Sequence, residues 1–135
     1  MDLKSKKVLL VGWGADNEED FFMYQGWYLT LKRILPDIKR FDTKKSLFQF
    51  GKDKMNEMLI SYVSELDLDL IIYAMAEEEL APETVLKISE LKPNTRTMFT
   101  LSDDDVRFEH YSRYFAPLFD HTVTSQDYVK QYEKS

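Results

Sequence analysis

Short apolar runs alternate along this chain with longer stretches in which apolar positions recur at helical spacing. The runs that predict strands are residues 7–12, 38–42, 69–75, 96–101 and 121–124. The stretches that predict helices are residues 19–35, 55–66, 82–92 and 107–119, followed by a last helix with Ser125 as its N-cap. Strands and helices that alternate in this way predict a doubly wound α/β fold with a parallel sheet.

The apolarity of the five runs predicts their places in the sheet. Residues 7–12, 69–75 and 96–101 form the most apolar runs, as expected of parallel strands that are covered on both faces. Residues 38–42 are more polar and are expected at an edge. The predicted architecture is a single Rossmann-like or flavodoxin-like domain over residues 1–135, with its five strands in the order 2-1-3-4-5.

Three loops of this predicted sheet should meet at one place. Ligands of open α/β sheets bind beyond the carboxyl ends of the strands, near the point where the strand order reverses. The loops that leave the first, third and fourth strands at that edge are residues 12–20, 74–80 and 102–107. A ligand site is therefore expected among these segments.

Composition limits the classes of ligand that the protein is expected to bind and indicates its cellular compartment. The 135 residues carry a net charge of −6, without the basic stripe of a nucleic-acid-binding protein. Cysteine is absent and there are two histidines, which argues against a disulfide framework, a thiolate site or a zinc centre. The N-terminal apolar run ends after five residues, too short for a signal peptide or a membrane span. We expect a cytoplasmic protein without a metal or a cofactor.

The first of the three loops has the glycine spacing of a dinucleotide-binding turn but lacks its third glycine. Gly12, Trp13 and Gly14 follow the first strand, and an asparagine stands where the third glycine belongs. Acidic residues 18–20 then open the helix, where they satisfy its positive end and repel a phosphate. Asp42, at the end of the second strand, is placed where a ribose-binding acid could lie. We favour a tight turn before a self-capped helix over a dinucleotide site.

Two acidic clusters lie on the predicted binding edge. Residues 77–79 follow the third strand, and residues 103–105 follow the fourth. They form either a solvated face or a negative rim that could hold a divalent cation or accept hydrogen bonds from sugar hydroxyls, and their spacing is not characteristic of a metal site. The third strand is followed by no aspartate and the fifth by no lysine, which excludes a phosphoacceptor receiver domain of the same strand order.

Aromatic and arginine side chains near these clusters are further candidates for binding. Trp13 has three open interpretations: stacking on a sugar ring, packing under a partner domain, or plain structural packing. Arg107 and Arg113 are interleaved with aromatic residues, and they either clamp carboxylates or meet an anionic ligand. The structural version predicts an ion pair from one of them to residues 103–105 or to Asp120.

The segment from Asp103 to Thr124 resembles a known family. It follows the pattern D-D-x-x-R-F-x-x-F/Y-S-R/K-x-x-A-P-x-F-D-x-x-V-T of CgeB-like (spore maturation type) glycosyltransferases. The matching positions are Asp103, Asp104, Arg107, Phe108, Tyr111, Ser112, Arg113, Ala116, Pro117, Phe119, Asp120, Val123 and Thr124. The segments KVLLVG, DLDLIIY and KPNTRT are similar to the N-terminal half of the same family, so the resemblance extends over most of the chain.

The resemblance implies an N-terminal, acceptor-side domain of a two-domain GT-B-like glycosyltransferase. A sugar or polypeptide acceptor would bind at its sheet edge, and a separate C-terminal domain would bind the nucleotide-sugar donor. Asp103 and Asp16 are then the expected catalytic carboxylates, which face each other across the cleft. The expected acceptor-binding residues are Gly12, Trp13, Gly14, Asp104, Arg107 and Arg113. Without the donor domain, this domain is expected to lack transferase activity.

The alternative is a non-catalytic flavodoxin-like module that docks a partner protein. An exposed apolar patch around Trp13 and residues 21–22 would favour docking. A pocket lined by Asp16, Asp103 and Arg107 would favour the enzyme. The structure of the sheet edge therefore distinguishes the two.

Overall fold

The structure, a computed structural model, describes residues 2–76 and 79–134. Within this part, the strands form a five-stranded sheet in the order β2-β1-β3-β4-β5, and each neighbouring pair is parallel. The strands are β1 (Val8–Gly12), β2 (Lys39–Asp42), β3 (Leu70–Ala74), β4 (Arg96–Leu101) and β5 (His121–Thr124). The predicted fold class and strand order are confirmed.

Helical segments connect the strands and cover both faces of the sheet. The α-helices are α1 (Leu29–Ile34), α2 (Thr43–Phe50), α3 (Lys52–Ser64), α4 (Pro82–Leu91), α5 (Asp104–Arg107), α6 (Arg113–Phe115) and α7 (Val129–Lys134). Two π-helical segments, Phe21–Tyr28 and Phe108–Ser112, run directly into α1 and α6, and Leu3–Ser5 and Ala116–Leu118 form 3-10 turns. Within residues 2–76 and 79–134, no helix combines the length and the apolar character that a membrane crossing requires.

Helix α2 lies in a stretch for which the sequence pattern predicts no helix. Its N-cap is Asp42, whose carboxylate accepts a hydrogen bond from the Lys45 N–H at 2.9 Å. Gly51, with a φ of 84°, then separates α2 from α3. The predicted helix over residues 55–66 corresponds to α3. Apolar periodicity does not indicate α2 because both of its phenylalanines face solvent.

The helix predicted over residues 107–119 is a succession of short helical segments. It begins earlier, at Asp104, changes to π geometry at Phe108, and ends in a 3-10 turn that contains Pro117. A π turn holds more residues than an α turn, so the side chains that follow are rotated relative to α-helical periodicity. The sequence pattern indicates a helix here but not this change of geometry.

The predicted N-cap of the last helix is wrong. The Ser125 N–H donates to the Leu101 carbonyl at 3.2 Å, so this residue continues the pairing between β4 and β5. Helix α7 begins only at Val129. In sequence, a serine directly after a strand is compatible both with a helix N-cap and with a further paired residue of the strand. Here the hydrogen bond to the neighbouring strand β4 shows that it is the second.

Side chains of the central strands alternate between two hydrophobic layers. Ile71 and Tyr73 of β3 belong to the layer that α3 and α4 cover. Ile72 and Ala74 belong to the opposite layer, which the segment Phe21–Tyr28 and α1 cover. Because β3 is buried on both faces, its sequence is a continuous run of apolar residues.

Gly12 allows the first helical segment to approach β1 closely. A Cβ atom at this position would lie 2.6 Å from the Met23 Sδ, well inside contact distance. Met23 thus packs over the end of β1 and brings the segment Phe21–Tyr28 to the carboxyl edge of the sheet. Packing alone accounts for this glycine, and its predicted role in substrate binding stays a prediction.

Candidate functional site

A cavity of about 680 Å³ opens at the carboxyl edge of the sheet. All three predicted loops line it. Trp13 and Asp20 come from the loop after β1, residues 74–76 from the end of β3, and Asp103 and Arg107 from the segment after β4. The prediction that these loops meet is confirmed. A volume of this size is typical of a small-molecule site.

Aromatic side chains form part of the cavity lining. Trp13, Phe22 and Trp27 all line it. Trp27 is half-buried against the hydrophobic layer that covers β1, so its ring is held in place. Trp27 is not among the site residues predicted from the sequence, although its spacing of four residues from Met23 places both side chains on one helical face. Met23 also lines the cavity.

The loop after β1 is held by glycine geometry and by Asp20. Gly14 has a φ of 84°, and a Cβ atom there would lie 2.8 Å from the Asp20 Oδ2. The Asp20 Oδ1 accepts a hydrogen bond from the Met23 N–H at 2.7 Å and so caps the helical segment. The tight turn before a self-capped helix is confirmed. Since the cap satisfies an N–H at the helix start and adds negative charge, this end is a poor phosphate site.

Asp42 is a buried anchor for the same loop. Its Oδ1 accepts hydrogen bonds from the Gly14 N–H at 3.1 Å and the Lys45 N–H at 2.9 Å. Its Oδ2 accepts one from the Asp16 N–H at 2.9 Å. These three bonds join the first loop to the start of α2. The carboxylate is therefore engaged in the fold, which argues against a ribose-binding role.

Asp16 does not line the cavity. Its carboxylate forms an ion pair with the Arg40 Nε at 2.5 Å. The Arg40 guanidinium lies 4.3 Å from the centre of the Tyr28 ring and 5.2 Å from that of Tyr24. Asp16 is thus engaged in an ion pair outside the cavity that Asp103 lines, whereas the sequence predicts that the two carboxylates face each other. A catalytic role for Asp16 stays a prediction and would require the ion pair to open.

Asp103 lines the cavity in an unusual backbone conformation. It has φ 61° and ψ 33°, in the left-handed region, and its side chain is exposed. The Asp103 carbonyl accepts hydrogen bonds from the N–H groups of Val106 and Arg107, both at 3.1 Å. A strained residue in a cavity wall is a common feature of functional sites, provided that its surroundings hold it in place.

Asp104 supplies part of that support. Its side chain is 0% exposed and does not line the cavity. It accepts hydrogen bonds from the Thr124 hydroxyl at 2.5 Å and the Tyr132 hydroxyl at 2.9 Å, which ties the loop to β5 and to α7. Burial raises the pKa of Tyr132 well above its ordinary value, and the neighbouring Asp104 carboxylate adds to this effect. The predicted role of Asp104 in substrate binding stays a prediction and would be indirect.

Arg107, at the end of α5, also lines the cavity. Its guanidinium lies 4.5 Å from the centre of the Tyr111 ring, a cation–π contact. In the part of the chain that the structure describes, no carboxylate forms an ion pair with it. Of the two predicted arginines, this is the one at the cavity.

The predicted ion pair between an arginine of this segment and the acidic cluster or Asp120 is wrong for the described residues. Arg113 lies outside the cavity and pairs with Glu109, one helical turn earlier, at 2.6 Å. Asp120 pairs with Arg96 at 3.6 Å. A hydrogen bond from the Thr97 N–H at 2.8 Å is the main reason why the pKa of Asp120 lies below its ordinary value.

Glu79 is buried rather than part of a solvated acidic face. Its Oε1 accepts hydrogen bonds from the Thr43 hydroxyl and the Ala76 N–H, both at 3.2 Å. The Asn56 side-chain amide donates to the Glu79 carbonyl at 3.1 Å. Residues 77–78 lie outside the described residues. Among the residues described, no three histidine or carboxylate side chains are grouped as a metal site requires.

Comparisons with protein-family models, with curated proteins and with solved structures found no match to this chain. The predicted site residues that line the cavity are Trp13, Asp103 and Arg107. Asp20 and Trp27 also line it, although the sequence did not predict them as site residues.

Asp103→Gly is expected to leave the free energy of unfolding unchanged or to raise it by up to about 1 kcal/mol, because glycine adopts left-handed geometry without steric cost. The matched control is Asp105→Gly. Asp105 lies in the first turn of α5, where its carboxylate interacts favourably with the helix dipole. Loss of this interaction and the lower helix propensity of glycine are together expected to lower the free energy of unfolding by roughly 0.5–1 kcal/mol. Urea denaturation measures both. A loss above about 1 kcal/mol for Asp103→Gly would contradict the assignment of strain to this residue.

Proposed function

We propose that this chain is the acceptor-side domain of a GT-B-like glycosyltransferase, with the acceptor bound in the cavity. A separate C-terminal domain would supply the nucleotide-sugar donor. The observation that carries the proposal is a cavity at the carboxyl edge of a parallel sheet in which tryptophan rings and carboxylates line one space. The resemblance of residues 103–124 to CgeB-like glycosyltransferases supports it.

The chemistry of the cavity suits a sugar. One face of a pyranose ring exposes C–H groups that pack on an aromatic ring, and its hydroxyls donate hydrogen bonds to carboxylates. Trp13 and Trp27 offer the aromatic surface, and Asp20 and Asp103 offer carboxylate oxygens. The site thus has both kinds of contact that a carbohydrate acceptor needs.

Asp103 is the proposed general base. A base must reach the acceptor hydroxyl directly or through one water. Asp103 is exposed in the cavity wall and its backbone is held by hydrogen bonds, whereas Asp16 is paired with Arg40 outside the cavity. Between the two predicted catalytic carboxylates, Asp103 is the better placed.

The helix start beside the cavity supports a donor site on another domain. In many nucleotide-binding sheets the first helix presents free N–H groups to a phosphate. Here Asp20 caps that helical segment, and its negative charge opposes an incoming phosphate. We further propose a cytoplasmic location.

Titration calorimetry with nucleotides and glycosides tests the proposal. We expect UDP and GDP, with and without magnesium, to bind weakly or not at all, and simple glycosides to bind with a Kd near 1 mM, about −4 kcal/mol. Trp13→Ala is expected to abolish glycoside binding. Phe21→Ala is the matched control, since Phe21 is 81% exposed and does not line the cavity. Micromolar binding of UDP or GDP would overturn the acceptor-side assignment.

Exposed phenylalanines beside the cavity favour a second function, a non-catalytic module that docks a partner protein. Phe22 lines the cavity and is 63% exposed, and its chain neighbour Phe21 is 81% exposed. Phe48, which packs edge-on against Trp13, is 75% exposed. Such surface often marks a protein interface. If docking is the function, Phe21→Ala should weaken partner binding while glycosides fail to bind the wild type.

A further inference from the structure

We infer that the ligand of this cavity carries an anionic group, a carboxylate or a phosphate, which binds Arg107 while a ring of the ligand packs on the tryptophans. This inference rests on the proposed function, because it names the chemical class of the acceptor. The acceptor is then an acidic sugar, either a uronic acid or a sugar phosphate.

The position of Arg107 is held by contacts that leave donors available. Its backbone N–H donates to the Asp103 carbonyl at 3.1 Å, and its guanidinium lies 4.5 Å from the centre of the Tyr111 ring. The Tyr111 ring contacts the guanidinium on one side, and a guanidinium carries five N–H donors. The remaining donors can bind a carboxylate or phosphate in the bidentate geometry that guanidinium favours.

The carboxylates near Arg107 in sequence form no ion pair with it in the part of the chain that the structure describes. In the described ranges, no carboxylate oxygen lies within 4.0 Å of its guanidinium. The Asp104 carboxylate accepts hydrogen bonds from the hydroxyls of Thr124 and Tyr132. Arg113 differs, because it pairs with Glu109 outside the cavity. The contacts therefore do not support the structural alternative, in which Arg107 forms an ion pair with residues 103–105.

The surroundings of Arg107 define the rest of the ligand. The net charge of −6 and the carboxylates of Asp20 and Asp103 in the same cavity oppose an anion, so the contact with Arg107 has to offset this repulsion. Asp20 and Asp103 line the same cavity and can accept hydrogen bonds from hydroxyl groups. An anionic group and several hydroxyls on one ring match this arrangement, and a cavity of about 680 Å³ holds a ligand of that size.

Calorimetry with matched probes tests the inference. The probes are methyl glucoside, methyl glucuronide, glucose 6-phosphate and, as an anion without a sugar, phenyl phosphate. We expect at least one of the two acidic sugars to bind about tenfold or more tightly than methyl glucoside. Tighter binding of methyl glucuronide would indicate a carboxylate ligand, and tighter binding of glucose 6-phosphate would indicate a phosphate ligand. The preference should decrease as salt is added, since it is electrostatic.

Arg107→Met should remove the preference for acidic sugars over methyl glucoside, because methionine retains much of the apolar stem but carries no charge. Arg113→Met is the control and should retain the preference, since Arg113 lies outside the cavity. Arg107→Lys provides a second variant that keeps the charge and should keep part of the preference. Circular dichroism and thermal melting establish that each variant is folded.

Each outcome separates the inference from the proposed function. Equal affinity for neutral and acidic sugars would overturn the inference and leave the acceptor-side function standing. Binding of phenyl phosphate that depends on Arg107, without binding of any sugar, would support the anion site and overturn the glycosyltransferase proposal. Absence of binding by all four probes would overturn both.

Discussion

Asp42→Ala is expected to lower the free energy of unfolding by about 2–4 kcal/mol, because it removes a helix cap and leaves backbone donors unsatisfied. The Asp42 carboxylate is buried and accepts hydrogen bonds from the N–H groups of Gly14, Asp16 and Lys45. Without it, the start of α2 and the loop that carries Trp13 lose their common anchor. Urea denaturation followed by tryptophan fluorescence measures the change.

Asp37→Ala is the control for this prediction. Asp37 lies on the loop before β2 and is exposed, so its removal should change the free energy of unfolding by no more than about 0.5 kcal/mol. Asp42→Asn keeps one carbonyl oxygen as an acceptor and should fall between the wild type and Asp42→Ala. If Asp42→Ala were as stable as the control, the anchoring role would be wrong. Glycoside affinity of Asp42→Ala should also fall, because the loop position depends on this residue.

Phe99→Ala is expected to lower the free energy of unfolding by about 3–5 kcal/mol, the range for deletion of a fully buried aromatic side chain. Phe99 lies on the central strand β4 and is 0% exposed. Its ring stacks on that of Phe119 with 4.6 Å between centres and meets the Tyr111 ring edge-on at 6.2 Å. The deletion leaves a cavity between the sheet and the segment that carries Arg107.

Phe48→Ala is the matched control for Phe99→Ala. The same side chain is removed, but Phe48 is exposed on α2, so the expected change is about 0.5 kcal/mol or less. Chemical denaturation of both variants under one set of conditions gives the comparison. Similar losses for the two variants would contradict the described core.

The order of the strands could be predicted because the burial of a strand restricts which side chains its sequence can contain. A strand covered on both faces needs apolar side chains at successive positions, which β1 and β3 have. The edge strand β2 is more exposed at its start, and its run is correspondingly polar. The boundaries of β4 and β5 agree residue for residue with the predicted runs 96–101 and 121–124.

The meeting of three loops could also be predicted, since parallel strands place their carboxyl ends at one edge. The direction of each carboxylate could not. Asp16 and Asp103 look equivalent in sequence, yet one pairs with Arg40 and the other lines the cavity. That difference depends on which residues the neighbouring strand brings alongside the loop.

The alternation of strands and helices, the central strands and the edge where a ligand would bind can all be predicted from the amino-acid pattern, because they follow from apolar periodicity and parallel topology. Which acidic side chains anchor the fold and which remain available depends on long-range contacts. Asp42 meets Gly14 across 28 positions of the chain, and Asp104 meets Tyr132 across 28. Contacts at such separation depend on strand pairing and helix packing, so no local pattern contains them.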